Sequence, residues 1–343
     1  MIFVKSAQES NQEIEKSMRE RARNLLKEKK VDLIIGYSTG TIPLSIAPIF
    51  IKKEEDVEKL TWNNLCYINL AKYLMPKIKE IIKEKEVDLK VGIVAKGCVA
   101  RAIVHLAVEN QINLNNVKII GINCNGIINR RRIEKEFGEK EILEVPIVDN
   151  DVVVKGKGFE KRYPFNEYLN ELCKTCQIKS PPMSPSLSNV IVGDSQETIS
   201  VEKDYKDISE FELKTPEEKW NYIKELLKDC TRCYACREAC PLCYCNLCFI
   251  DQNLPSWFGK TSDLSDIIVF HMIRALHIAG RCVGCGACSS VCPMGIDLNL
   301  ITRKLEKIVK DRFEFITGLN LETIPPMMTY SMDDKQEFML EED

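Results

Sequence analysis

The chain has 343 residues, a formal net charge of −3 and 29% charged residues, so its charge gives no reason to expect nucleic-acid binding. It contains 16 cysteines, but neither a secretory leader pattern nor a run of roughly 18 apolar residues. Abundant cysteines without an export signal or a membrane span indicate metal ligands in a reducing cytoplasm rather than disulfides. The length allows one sizeable core plus a smaller module.

Residues 1–165 are predicted to form an α/β domain with a parallel or mixed sheet. The predicted elements are strands at 31–37, 91–95 and 117–123, helices at 60–85 and 99–107, and a small β excursion at 144–157. Short apolar runs that alternate with helical spacing indicate βαβ units.

Residues 166–215 are predicted to connect this domain to a second one. A helix at 166–175 leads into Cys173-Lys-Thr-Cys176, and the Ser- and Pro-rich stretch that follows contains a short strand at 189–192.

Residues 216–321 are predicted to form a two-cluster, ferredoxin-like α+β module. The predicted elements are a helix at 216–228 with Thr215 and Glu218 as a capping box, a helix at 263–280 capped by Ser262 or Ser265, and a helix at 301–313. The acidic segment 322–343 is expected to be an extended arm over a partner or over the module.

The module contains two C-x2-C-x2-C-x3-C-P runs, beginning at Cys230 and Cys282, which is the pattern of bacterial [4Fe–4S] ferredoxins. In two-cluster ferredoxins the fourth cysteine of each run binds the other cluster. The predicted ligands are set one, Cys230, Cys233, Cys236 and Cys292, and set two, Cys282, Cys285, Cys288 and Cys240. Structural zinc and disulfides are the alternatives, but zinc sites normally use pairs of C-x2-C rather than triplets followed by C-P.

Four further cysteines define set three: Cys98, Cys124, Cys173 and Cys176. The first two follow predicted strands at the end where open α/β sheets collect ligands. A third [4Fe–4S] cluster is expected here, with zinc or a redox dithiol as alternatives.

The remaining cysteines are Cys66, Cys243, Cys245 and Cys248. They can be interpreted as a fourth cluster site, whereas Cys66 alone is equally well explained as a buried small side chain. The three histidines, His105, His271 and His277, lie within apolar helical patterns and are expected to be packed core residues.

The order of the cysteine segments resembles the β-subunit family of coenzyme F(420)-reducing hydrogenases and dehydrogenases, particularly the formate dehydrogenase β subunits of methanogens. The segments that carry the resemblance are Lys96-Gly-Cys98, Asn110 to Cys124, Cys173 to Cys176, Cys233 to Cys245 and Cys285 to Cys288. The resemblance implies an iron–sulfur flavoprotein with a flavin-type α/β domain before the ferredoxin module. It also implies that set three lies near FAD, in a pocket that includes Lys96, Gly97 and Asn123.

One departure from the family concerns the N-terminus, where the usual Cys-Gly-Gly segment is replaced by a stretch without glycine from Glu9 to Met18. Glycine permits close approach of the backbone to a cofactor, so this departure weakens the case for FAD. Two functions are expected as alternatives: an electron-transfer and flavin subunit, or a flavin-free cluster relay and docking adaptor between two redox enzymes.

The resemblance implies protein partners of the formate dehydrogenase, hydrogenase or heterodisulfide reductase type, with coenzyme F(420), ferredoxin or another electron carrier. Sets one and two are expected to face the redox partner, and set three to lie between them and the flavin pocket. Deleting residues 327–343 is expected to weaken association with the partner.

Overall fold

The computed structural model describes residues 7–42, 44–75, 89–148, 151–182, 190–192, 205–330 and 332. Within these ranges, no helix combines the length and the apolar character that crossing a membrane requires.

A five-stranded mixed sheet forms the centre of the N-terminal region. Its strands are β1 (Leu33–Thr39), β2 (Ile46–Ile51), β3 (Val91–Ala95), β4 (Val117–Gly121) and β9 (Val190–Val192), in the order β2-β1-β3-β4-β9. Strand β2 is antiparallel to β1, whereas β1, β3, β4 and β9 are parallel. The predicted mixed α/β sheet is therefore confirmed, and the short strand in the connecting segment is one of its members.

Two long helices pack against this sheet, α1 (Ala7–Lys27) and α2 (Gly97–Val108). Helix α1 buries Met18, Ala22 and Leu25 in the core, as expected for one apolar stripe on an otherwise charged helix. Helix α2 follows β3 directly, so its first turn lies at the carboxyl end of the parallel strands.

The helix predicted over 60–85 is wrong from Leu60 to Leu74. The chain is irregular up to a 3-10 turn at Leu70–Leu74, and 76–85 lie outside the described residues. Asparagine side chains explain the difference. The Asn63 side chain accepts from the Leu65 N–H (2.9 Å) and that of Asn69 from the Ala71 N–H (3.2 Å), so local turns compete with the helix.

A second, small sheet follows helix α3 (Arg130–Phe137) and contains β5 (Ile142–Glu144), β6 (Ile147–Val148), β7 (Asp151–Gly156) and β8 (Phe159–Pro164). All of its pairings with β7 are antiparallel. The predicted β excursion is confirmed and extends one strand further, because Lys157 and Gly158 (φ 81°) make a tight hairpin.

The predicted helix at 166–175 is replaced by two short helices, α4 (Phe165–Tyr168) and α5 (Glu171–Lys174). Asn170 separates them because its side chain accepts from the Leu172 N–H (3.1 Å) and so caps α5.

The C-terminal region is helical around its cysteine loops. Its helices are α6 (Lys206–Glu212), α7 (Pro216–Leu227), α8 (Ala235–Glu238), α9 (Leu264–His277), α10 (Ala287–Ser290) and α11 (Asn299–Phe313). The predicted capping box of Thr215 and Glu218 is confirmed. The predicted serine caps of α9 are wrong: Asp263 is the N-cap residue, and its N–H donates to the Thr261 hydroxyl (3.1 Å).

Buried hydrogen bonds join the two regions. Arg101 of α2 donates to the carbonyls of Thr317 (2.8 Å) and Val283 (3.1 Å). Glu109, at the end of the same helix, accepts from Arg281 (2.7 Å) and from the Tyr244 hydroxyl (2.5 Å). Helix α2 therefore carries Cys98 at one end and is fixed to the cysteine module along its length.

Candidate iron–sulfur centres

Two cysteine loops with the same backbone form the centre of the module. In each, the residues on both sides of the middle cysteine have positive φ: Arg232 (53°) and Tyr234 (62°) in the first loop, Gly284 (63°) and Gly286 (69°) in the second. In each, an N–H donates to the first thiol at 3.4 Å, from Arg232 to Cys230 and from Gly284 to Cys282. The loops thus wrap their thiols in the same way, and each leads into a one-turn helix, α8 or α10.

The thiols of set one are mutual neighbours. Burial raises the pKa of Cys236 to about 11, with further upward contributions from Cys288, Cys230 and Cys292. The pKa of Cys230 is raised in turn by burial, Cys292 and Cys233. Cys292, the fourth cysteine of the second run, therefore lies near Cys230 and Cys236 of the first run, an arrangement compatible with crossed ligation.

The thiols of set two show the reciprocal arrangement. Burial raises the pKa of Cys282, and Cys285 and Cys240 add to the increase. Burial likewise raises the pKa of Cys285 to about 12, with contributions from Cys98 and Cys240. The Cys282 and Cys285 thiols keep their protons at neutral pH until a metal displaces them, whereas the neighbouring Cys243 thiol lowers the pKa of Cys240 to about 6. Four thiols gathered in this way fit thiolate-bound iron, and loading would release the protons that remain.

Arg274 and His271 of α9 are buried beside these loops. The sequence indicated a core position for His271 but no contact with a cysteine, and it gave no signal for Arg274. Arg274 donates to the Cys236 carbonyl (3.2 Å), and its guanidinium lowers the pKa of the Cys288 thiol against the larger effect of burial. His271 Nε2 lies 3.4 Å from Cys230 Sγ. Burial and Arg274 lower the pKa of His271 to about 4, so the ring is neutral near pH 7.

The histidine prediction holds for two of three positions. His105 and His271 are buried, with 1% and 4% exposure, whereas His277 lies exposed near the end of α9. The helical repeat could place His271 in the core, but only the fold brings it next to a cysteine from a loop 41 residues away.

Set three converges at the carboxyl end of the five-stranded sheet. Cys98 is the second residue of α2, and Cys124 follows β4. Burial raises the pKa of Cys98 to about 12, and the neighbours Cys124, Cys176 and Cys173 add to it. The Cys173 thiol also accepts from the Ile127 N–H at 3.4 Å.

The residues predicted to line a flavin pocket are covered by the chain itself. The Lys96 ammonium is buried and donates to the Cys66 carbonyl. A Cβ on Gly97 would lie 2.3 Å from the Ile178 carbonyl oxygen, and the Asn123 side chain accepts from the Ser180 hydroxyl (2.5 Å). An FAD seated against Gly97 would have to displace the segment 178–180, so these three residues do not form an open cradle.

The last four cysteines fall in two places. Cys66 is fully buried near Lys96 and Cys124, whereas Cys243, Cys245 and Cys248 line a cavity of about 530 Å³ between the two regions. Within the described part of the chain, no three His, Cys, Asp or Glu side chains converge tightly enough to coordinate a single metal ion. A four-iron cluster makes a different demand, since each thiolate binds its own iron atom.

Residues 276–296 match the family model of the 4Fe-4S binding domain. This range contains the whole second loop, from Cys282 to Cys292, together with the end of α9. The match and the loop geometry together define the class of this part of the chain, residues 276–296, as a ferredoxin-like iron–sulfur region.

The chain is also similar to two curated β subunits over most of its length. It is 26% identical to the F420-dependent formate dehydrogenase subunit beta of Methanocaldococcus jannaschii, over 88% of this chain and 91% of the relative. It is 25% identical to the F420-dependent formate dehydrogenase 1 subunit beta of Methanococcus maripaludis, over 88% and 90%. These findings confirm the predicted resemblance to the β-subunit family of F(420)-reducing hydrogenases and dehydrogenases, formate dehydrogenase β subunits included.

Among solved structures, the chain matches one from the F420-reducing [NiFe] hydrogenase complex of Methanosarcina barkeri. The match has 17% identity and a TM-score of 0.37, and it covers 51% of this chain and 64% of that one. A likeness this distant adds nothing to the geometry described above.

Proposed function

We propose that this chain is the electron-transfer subunit of a multisubunit oxidoreductase, with sets one, two and three each holding a [4Fe–4S] cluster. Its catalytic partner is a formate dehydrogenase, hydrogenase or heterodisulfide reductase type of enzyme, and its acceptor is FAD with a deazaflavin or another carrier. Bound cubanes supply one-electron transfer, whereas formate, hydrogen and a deazaflavin hydride each involve two electrons, so a two-electron centre is needed at each end.

The observation that carries this proposal is that the three thiol sets adjoin in series. Cys236 of set one has Cys288 of set two as a neighbour, and Cys285 of set two has Cys98 of set three as a neighbour. Structural metal sites do not need to adjoin one another, whereas electron transfer requires neighbouring centres, as in these twelve thiols across two regions.

Exposure supports a direction for the series. Cys233 of set one is exposed, whereas Cys98 and Cys124 of set three lie where a parallel sheet collects its ligands. Set one is therefore the end that meets a protein partner, and set three is the end closer to a small carrier.

A flavin-free adaptor is the second candidate function, and the cover over Gly97 favours it. Two carbonyl oxygens, those of Ile178 and Ser180, point at the position where a Gly97 side chain would begin, at 2.3 and 2.8 Å. Carbonyl oxygens repel phosphate, so this surface suits a packed interior better than the pyrophosphate of FAD.

Metal, sulfide and chromophore content of the full chain, prepared without oxygen, tests these statements. We expect at least twelve irons per chain, and Cys98→Ser is expected to lose four of them together with one signal in the EPR spectrum of the reduced protein. An iron content near eight with an unchanged spectrum in Cys98→Ser would contradict set three. A yellow flavin released on denaturation would support the flavin subunit, and its absence would support the adaptor.

The C-terminal arm is proposed to contribute to partner docking. Met327, Met328 and Tyr330 are 55%, 47% and 75% exposed, and methionine adapts well to irregular interfaces. Deleting residues 327–343 should weaken association with the partner enzyme while iron content stays unchanged. Loss of iron with partner binding intact would instead make the arm a cover of the module.

A further inference from the structure

The loop that follows Cys240 has a cysteine spacing of its own. Cys243, Cys245 and Cys248 form a C-x-C-x2-C run within six residues, in a segment without regular secondary structure. All three line the 530 Å³ cavity, as does every residue from Pro241 to Cys248. The two ferredoxin loops likewise present three thiols from a short irregular segment.

The cavity is positively charged, and one of its cations has no acidic partner among the described residues. Lys72, Arg237 and Arg281 pair with carboxylates, the last with Glu109 at 2.7 Å. Arg274 lines the same wall and is only 7% exposed. Its Nε has no hydrogen-bond partner in the described structure. The wall carries four cations, Lys72, Arg237, Arg274 and Arg281, against two carboxylates, Glu238 and Asp251, so this lining favours an anion in the cavity.

A metal–thiolate cluster satisfies both features, because three thiolates on a four-iron core leave a net negative charge. The cavity volume lies within the roughly 300–1,000 Å³ typical of cofactor sites. Besides the thiols, the wall offers iron the carboxylates of Glu238 and Asp251, which are already paired with Lys72 and Arg237, and the ring of His277. His277 is therefore the side chain available for the iron that no cysteine binds.

The cavity also adjoins set two. The Cys243 N–H donates to the Cys240 carbonyl (3.4 Å). The Arg274 guanidinium has four thiol neighbours, Cys288, Cys240, Cys243 and Cys236. A centre in the cavity would thus lie next to set two. Cys245 is exposed, so this side of the cavity reaches the protein surface.

We propose that Cys243, Cys245 and Cys248, with His277 as the fourth ligand, bind a fourth [4Fe–4S] cluster in this cavity. Cys66, which lies near Lys96 and Cys124, takes no part in it. The site exchanges one electron with the centre held by set two, with no bond formed or broken, and so gives the series a branch that ends at the surface. The proposal rests on the proposed function for the identity of that neighbouring centre.

The test compares full-length chains reconstituted without oxygen with iron and sulfide. The double variant Cys245→Ser/Cys248→Ser is expected to lose four irons, four acid-labile sulfides and about one reduced-state spin per chain relative to the unmodified protein. Leu247→Ser is the matched control, because Leu247 lies in the same loop and is exposed but offers no ligand. It should keep the full content.

Equal iron and sulfide in the double variant and the unmodified chain would overturn the proposal. So would the loss of one zinc without sulfide, which would identify a mononuclear site. If the double variant lost more than four irons, His277→Ala decides: a changed EPR signal for one centre at full iron content supports the site, and an unchanged spectrum contradicts it. If the unmodified protein itself lacked the two ferredoxin centres after reconstitution, the proposed function would be contradicted instead.

Discussion

The two ferredoxin loops have the same backbone but reach it with different residues. The first places Arg232 and Tyr234 in the left-handed region, where a non-glycine residue costs of the order of 1–3 kcal/mol, and the second places Gly284 and Gly286 there at little cost. The difference follows from what surrounds each loop, and it shows how one cluster motif is adapted to an exposed and to a buried position.

Side chains hold the first loop in its strained conformation. Arg232 donates to Tyr234 and to the carbonyls of Gly259 and Thr261, all at 3.0 Å, and its guanidinium lies over the Phe270 ring. Arg232 is itself buried at 7% exposure, whereas Cys233, between the two strained residues, is exposed.

The second loop is closely packed. A Cβ on Gly286 would lie 3.0 Å from the side-chain atoms of Asn170, and the Val283 carbonyl accepts from Arg101. Glycine is needed here for close packing against the sheet region as well as for positive φ. The loop that joins the two regions is therefore the one with the smaller side chains.

Replacing the last cysteine of either run, which is predicted to bind the cluster of the other run, should have the largest effect. Cys240→Ser lies in the first run but is expected to remove the four irons of set two, because its neighbours are Cys282 and Cys285. Cys292→Ser should remove those of set one. Iron analysis with EPR of each reduced variant checks this, and loss of set one from Cys240→Ser would show that the ligation is not crossed.

Removing the Arg274 charge should affect both loops, and set two more strongly. Arg274→Met deletes a cation that stabilises the reduced, more negative cluster, so the midpoint potential of set two should fall by about 60 mV, equivalent to about 1.4 kcal/mol for one electron. In Arg274→Lys, which retains the charge, the midpoint potential of set two should fall less. Redox titration followed by EPR measures both, and equal potentials in Arg274→Met and the unmodified chain would exclude this role.

The packing constraint on the second loop can be separated from its φ constraint. Gly286 and Gly295 have φ of 69° and 68°, but nothing lies within 4 Å of a Cβ on Gly295. Gly295→Ala should cost roughly 1 kcal/mol for the left-handed backbone, and Gly286→Ala about 1 kcal/mol more for the contact with Asn170. Thermal unfolding of the iron-loaded variants compares them. Equal losses would mean that Asn170 moves aside freely.

The smallest expected effect concerns His271, whose Nε2 lies 3.4 Å from Cys230 Sγ of the first loop. With the Nε2–H tautomer it donates to Cys230 Sγ, so His271→Leu removes a hydrogen bond worth about 0.5–1 kcal/mol and should lower the potential of set one by roughly 20–40 mV. Because the pKa of His271 is lowered to about 4, the shift should be the same at pH 6.5 and 8. His271→Gln, which keeps a donor, is the control; a matching shift of set two would contradict a local effect.

The parts of the molecule that depend on local patterns could be predicted from the sequence. Apolar runs located β1, β3 and β4, and the spacing from Thr215 to Glu218 located the start of α7. The helix predicted over 60–85 is wrong from Leu60 to Leu74, because apolar spacing does not reflect the turn preference of Asn63 and Asn69.

The parts that depend on long-range packing could not be predicted in this way. The contact of His271 with Cys230 and the cover of Ile178 and Ser180 over Gly97 join residues that are far apart in sequence. The spacing of Cys243, Cys245 and Cys248 was visible in the sequence, but the cavity that they line is made by both regions of the chain. The burial of Arg274 beside four cysteines had no local sequence signal.

Strand β9 has a consequence for how the protein can be divided. It pairs in parallel with β4, as Ile119 with Val190 and Gly121 with Val192, after the segment that carries Cys173 and Cys176. A fragment ending at residue 165 would lack the edge strand of its own sheet and half of set three. During synthesis on the ribosome, the sheet likewise cannot be completed until Val192 has emerged, when both late cysteines are already tethered between two paired strands.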